Sequence, residues 1–183
     1  FRSVGGIGGF IFALITMFKK NWAGITAPIY AVLQGLFLGG ISAIYEAQFD
    51  GIVIQAVGLT LGTLSSLLLL YKTGVVKPTE NFRLMVTSAT MGIGLLYLVS
   101  MVMNMFGSSI GFIHSNGLFG IGFSLFVVAI AALNLVLDFD FIEQGSEQGA
   151  PKYMEWFGAF SLMVTLIWLY LEMLRLLAKL RSR

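Results

Sequence analysis

Charged side chains fall in clusters along this chain, and the stretches between them are blank. Ser3–Phe18, Asn21–Tyr45, Gly51–Tyr71, Leu84–Leu137 and Trp156–Leu171 contain no Asp, Glu, Lys or Arg. A helix needs about 20 apolar residues to cross a bilayer core. The blank from Leu84 to Leu137 is too long for one crossing and is divided by the polar, glycine-containing run Gly107–Asn116. The pattern therefore predicts six spans, with Leu84–Phe106 and Gly117–Leu137 separate. The runs are continuous and about 20 residues long, where barrel strands would alternate and be about half that length. Pro28 falls near the start of the second span, where a helix tolerates it, and Pro78 and Pro151 fall in connections.

Composition agrees with the pattern. Of the 183 residues 57% are hydrophobic and 11% charged, against about 25% charged in an ordinary soluble domain. So few charges cannot cover a soluble surface, which excludes a secreted domain, a disordered tail and a typical cytosolic enzyme. The chain has no cysteine, hence no disulfide, thiolate metal site or cysteine nucleophile. A net charge of +2, with no basic run longer than Lys19–Lys20, gives no footprint for nucleic acid. The expectation is an all-α, polytopic membrane bundle forming one domain over residues 1–183, with the lipid bilayer as its first partner.

Lys and Arg in short loops set orientation. Lys19 and Lys20 follow the first span, and Lys72, Lys77 and Arg83 follow the third, so these connections are expected to be cytoplasmic. His114 falls on the opposite side. Arg175, Lys179, Arg181 and Arg183 at the chain's end disagree if all six spans cross. Either the earlier loops dominate or the last span is re-entrant, and the six-crossing reading is taken. The chain starts at Phe1, close to an apolar run, with no small-residue cleavage site after it. We read it as lacking an upstream segment, so that the full protein would have seven spans.

Glycines four apart (Gly5 and Gly9, Gly35 and Gly39, Gly58 and Gly62) suggest close helix packing, or a homodimer face. The segments Gly35–Ser42 and Gly117–Ser124 resemble each other, which is the only support for a small-molecule exporter.

An ionisable residue inside an apolar span is expensive and marks a candidate site. Glu172 lies in WLYLEMLRLL, with Arg175 one turn on. Asp138 ends the fifth span in LNLVLDFDFI, and Asn134, one turn earlier, can share its face. Asp140 points elsewhere. Asp138, Asp140, Glu143 and Glu147 form either a solvated acidic loop or a site for a hard cation, without the spacing of an EF-hand. Gln34 and Asn104 read as interhelical hydrogen-bond partners. Ser108 and Ser109 make no nucleophile elbow, and no motif implies catalysis or a bound cofactor.

The runs Leu133–Ile142 and Trp168–Leu177 resemble the transmembrane Bax inhibitor motif family, in its bacterial YccA-like branch. The resemblance places Asp138, followed by Ile142, at the end of the family's sixth helix and Glu172 in its seventh, and likens Gln34–Gly40 to the third. It implies seven helices with the last one central, a bacterial inner-membrane location, and a pH-sensitive leak for calcium as permeant ion, gated by Asp138 and Glu172. Asp140, Asn134 and Arg175 would be accessory, and Lys19 or Lys20 would be the nearest match to a basic partner. The family's glutamate in the second helix has no counterpart in the first span. The resemblance also offers a second role, as regulator or substrate of a membrane-anchored AAA protease. Straight spans would leave Asp138 and Glu172 about 19 Å apart along the membrane normal. A shared proton therefore requires a long, irregular connection through Gln144–Phe160.

Overall fold

The computed structural model describes residues 2–75, 79–107 and 118–181. The expectations for Lys77, Ser108, Ser109, His114, Gly117 and Arg183, for the side chain of Asn104 and for the surroundings of Gly5 lie outside the described residues. Among the described residues six α-helices follow one another: α1 Arg2–Phe18, α2 Ala23–Gln48, α3 Ile52–Thr73, α4 Glu80–Met105, α5 Leu118–Glu147 and α6 Tyr153–Arg181. A short 3-10 turn, Lys20–Trp22, joins α1 to α2. Five of the helices are long and apolar enough to cross a membrane. The 17 residues of α1 rise about 25 Å, short of a bilayer core of about 30 Å.

The bundle is organised around α6, which packs against α5, α2, α3 and the 3-10 turn. Its largest buried cluster joins Ile52 and Ala56 of α3, Ala131, Leu135 and Phe139 of α5, and Leu169, Met173 and Leu174 of α6. A second cluster sets Tyr30 of α2 edge-on against Phe160 of α6, with ring centres 4.9 Å apart. A third packs Ile93 of α4 on Val127 and Ile130 of α5. The outer faces are strongly apolar: Ile54, Leu84 and Met105 are 79%, 68% and 78% exposed. Water would penalise that surface, and hydrocarbon does not. The last helix is thus the central one.

Polar groups at the helix ends fix the connections. The Glu46 carboxylate accepts from the backbone N–H groups of Gly51 (2.7 Å) and Val53 (3.2 Å), satisfying donors at the start of α3. The α5–α6 connection is short. Gly149 takes a left-handed φ of 66°, and the Ala150 N–H returns to the Gly145 carbonyl at 3.0 Å, closing α5 as a Schellman turn. This corrects the expected long, irregular connection. α5 runs past Asp138 to Glu147, because the charges expected to end it have partners. Arg83 of α4 pairs with Asp140, and the Tyr71 hydroxyl of α3 donates to Glu143. Gln144 also donates to Asp140, at 3.0 Å.

The glycine expectation needs a second correction. A side chain at Gly35, Gly39, Gly58 or Gly62 would meet nothing within 4 Å among the described residues, so these glycines make no close helix contact there. Gly9 is different. A Cβ there would lie 2.2 Å from Gln34 Nε2 and 2.9 Å from its Cδ. Gly9→Ala is therefore expected to displace the flexible end of Gln34, and to be less stable than Gly35→Ala, which gains the same helix propensity without a clash, by about 1 kcal/mol. Denaturant titration of the two purified variants in micelles checks this.

Candidate functional site

The antiparallel register of α5 and α6 decides which polar residues meet. Near the α5–α6 connection, the Ser161 hydroxyl donates to Asp138 Oδ1 at 2.9 Å. At the far end, the Lys179 ammonium donates to the Gly120 carbonyl (3.2 Å) and to Ser124 Oγ (2.8 Å). Glu172 falls between these levels.

Asp138 is 9% exposed and sits among α5 and α6 residues, with Thr165 beside it. Its Oδ2 atom has no hydrogen-bond partner within bonding distance among the described residues. No cation pairs with it among the described residues. Asn134, one turn earlier, donates through Nδ2 to Thr90 Oγ1 (2.8 Å) and to the Ile130 carbonyl (2.9 Å). It ties α4 to α5 and lines the same cleft as Asp138.

Glu172 is 3% exposed. Tyr97 of α4 donates its hydroxyl to Oε1 at 2.9 Å. Arg175 donates to the Tyr97 oxygen at 2.9 Å and reaches Oε1 at 3.4 Å, with its guanidinium over the Tyr97 ring. The local Glu172–Arg175 pair therefore exists, but the shorter contact runs through Tyr97. Oε2 of Glu172 has no hydrogen-bond partner among the described residues.

The two acids are not brought together. The residue opposite Asp138 on α6 is Ser161, eleven positions before Glu172, or about 16 Å of helical rise. They have no hydrogen-bond partner in common among the described residues. Asp140 lies at the Arg83 ion pair, apart from both. Lys19 and Lys20 stand over aromatic rings, at 5.9 Å from Trp22 and 4.8 Å from Phe157, and not against Asp138. No group of three His, Asp or Glu side chains able to hold a metal occurs among the described residues. The acidic set from Asp138 to Glu147 is instead spread over Ser161, Arg83 and Tyr71.

Tyr97, Ser161 and Lys179 are the participants that sequence reasoning missed. Tyr97 carried a signal, since a phenol inside an apolar span must find a partner. Lys179 carried another: it follows Glu172 by seven residues and Arg175 by four, which puts all three on one face of α6. Ser161 carried none, because its role follows from the register.

A helical bundle with apolar outer faces and two buried acids within its helices is a multi-pass membrane protein. The model of one family, described as Bax inhibitor 1 like, matches residues 1–182, and the chain belongs to that family. No curated protein and no solved structure matches it.

Proposed function

We propose that this protein is a proton-responsive cation leak, with Asp138 and Glu172 acting as two separate acid stations on one path through the bundle. One observation carries the reading: each acid is buried between membrane helices and keeps one carboxylate oxygen without a hydrogen-bond partner among the described residues. Such an oxygen is costly to bury, and in a membrane segment an ionisable group is retained for a path or a switch. The family supports the same reading through its resemblance to pH-sensitive calcium leaks.

Different neighbours face the two stations. Ser161 and Thr165 of α6 and Asn134 of α5 surround Asp138. Tyr97 of α4 and Arg175 of α6 surround Glu172, with the Lys179 charge near enough to be felt. When a station is protonated, its neutral carboxyl is tolerated in the dry bundle. When it ionises, it draws in water or a cation, and the path opens. Flux is therefore expected to rise with pH. The shared-proton form of the mechanism is not retained, because Ser161 occupies the position a second acid would need.

The test uses the purified protein in liposomes loaded with a calcium dye, from roughly pH 5 to 8, a range above the ordinary carboxyl values of about 4. Asp138→Asn and Glu172→Gln are each expected to give low flux that no longer varies with pH. Absence of flux from the unaltered protein, or an unaltered pH profile in both variants, overturns the reading.

A further inference from the structure

Four helices leave a cleft of about 710 Å³ at the level of Asp138, within the size range of small-molecule sites. Its walls are mostly apolar: Phe10 and Met17 of α1, Phe37 of α2, and Phe157, Phe160 and Val164 of α6. Its floor is polar, made by Tyr30 and Gln34 of α2, Asn134 and Asp138 of α5, and Ser161 and Thr165 of α6.

The hydrogen-bond account of that floor is lopsided. The Ser161 hydroxyl is spent on Asp138 Oδ1, and the Thr165 hydroxyl on the Ser161 carbonyl. Asn134 spends its amide donor on Thr90 and Ile130, leaving its carbonyl end. Asp138 Oδ2 remains, with no donor within hydrogen-bond distance among the described residues although the Thr165 hydroxyl is close enough to be felt, on a residue 9% exposed. The floor also holds the Tyr30 hydroxyl and the Gln34 amide, each able to donate or accept, so the group that selects the ligand is Asp138 Oδ2, which favours N–H donors and positive charge at one end and hydrocarbon at the other. An anionic headgroup would be repelled by the carboxylate. A plain acyl chain would fill the walls and leave Oδ2 unsatisfied, which carries a desolvation penalty. Water could meet Oδ2 but would gain nothing from the aromatic walls, whose ring faces attract a cation.

We propose that the cleft between α1, α2, α5 and α6 binds a lipophilic amine, with its ammonium at Asp138 Oδ2 and its chain along the apolar walls. The site shares Asp138 with the leak reading but does not depend on flux. An amine and a carboxyl hydrogen-bond whichever of them holds the proton, so binding needs no open path.

The experiment uses the purified protein in phosphatidylcholine nanodiscs and a long-chain alkylamine carrying a photoreactive diazirine, with labelled positions mapped by mass spectrometry. Labels are expected to concentrate on the cleft walls, and unlabelled dodecylamine is expected to compete while dodecanol does not. Asp138→Asn, which keeps an acceptor for Ser161, is expected to lower cleft labelling about tenfold, in line with losing a charge-assisted hydrogen bond. Glu172→Gln lies outside the cleft and is expected to keep the labelling. If Asp138→Asn and Glu172→Gln both keep the unaltered pH profile of flux while only Asp138→Asn loses labelling, the leak reading fails and this one stands. Even labelling over lipid-facing positions such as Ile54 and Leu84, equal competition by dodecanol, or undiminished labelling of Asp138→Asn would each overturn the amine site.

Discussion

Removing both supports of Glu172, as Tyr97→Phe with Arg175→Leu, is expected to destabilise the protein by about 3 kcal/mol. Breaking a buried pair from one side leaves an uncompensated charge and costs about 3–5 kcal/mol. The lower end applies because Arg175 is 36% exposed and solvent screens its attraction. Glu172 then keeps no donor among those the structure gives it. Tyr97→Phe alone should cost less, since the 3.4 Å contact to Arg175 survives. Adding Glu172→Leu to the double variant is expected to recover most of the loss, because an apolar side chain of similar size needs no partner. Denaturant unfolding in micelles measures all three. A loss below about 1 kcal/mol in the double variant, or no recovery in the triple, would show that Glu172 is not held through Tyr97 and Arg175.

The second large effect comes from Ser161→Asp. The Ser161 hydroxyl is 2.9 Å from Asp138 Oδ1, so the substitution builds the acid pair that the natural chain lacks. Two carboxylates so close in a dry site cannot both ionise, and the pair holds a proton. Above about pH 4, the folded state then binds one proton more than the unfolded chain. The sign follows from linkage: the added stability is full at low pH and lost as pH rises, by up to about 1.4 kcal/mol per pH unit. Melting temperature recorded between roughly pH 5 and 8 is expected to fall with pH in Ser161→Asp more steeply than in the unaltered protein. Parallel profiles would mean that the two positions do not face each other in the membrane.

The spans were legible because charge is the costliest thing to put in lipid, so blanks between charges map crossings. Their ends were less legible, for the same reason read too literally. Asp138 was expected to close the fifth span, yet α5 continues to Glu147 because Arg83, Tyr71 and Gln144 partner the charges that follow. The basic residues at the chain's end disagree with the charge rule if all six spans cross, the reading taken from the sequence, and Arg181 bonds Gln55 at 3.0 Å and the Asp50 carbonyl at 2.5 Å. Those contacts place the end of α6 beside the α2–α3 connection, as a full crossing requires. Asp138 and Glu172 stand out as acids in apolar runs, but nothing local says what faces them. Helix register sets the Asp138–Ser161 and Glu172–Tyr97 contacts, and register depends on packing over residues far apart in the chain. The cleft was out of reach for the same reason, since Gln34 and Asp138 meet only after four helices have assembled.

The row of Glu172, Arg175 and Lys179 on one face of α6 has a consequence for biogenesis. A charged residue near the centre of a membrane segment costs about 2.5–3.5 kcal/mol on insertion scales; Glu172 lies well inside α6 and Arg175 and Lys179 follow it towards the helix end, so α6 enters lipid at a cost that its own sequence does not offset. Its remedies lie elsewhere: Tyr97 on α4, and Gly120 and Ser124 on α5. The helix that organises the finished bundle is made after the helices that supply its partners. It can settle only against neighbours already in place, so synthesis order and assembly order coincide.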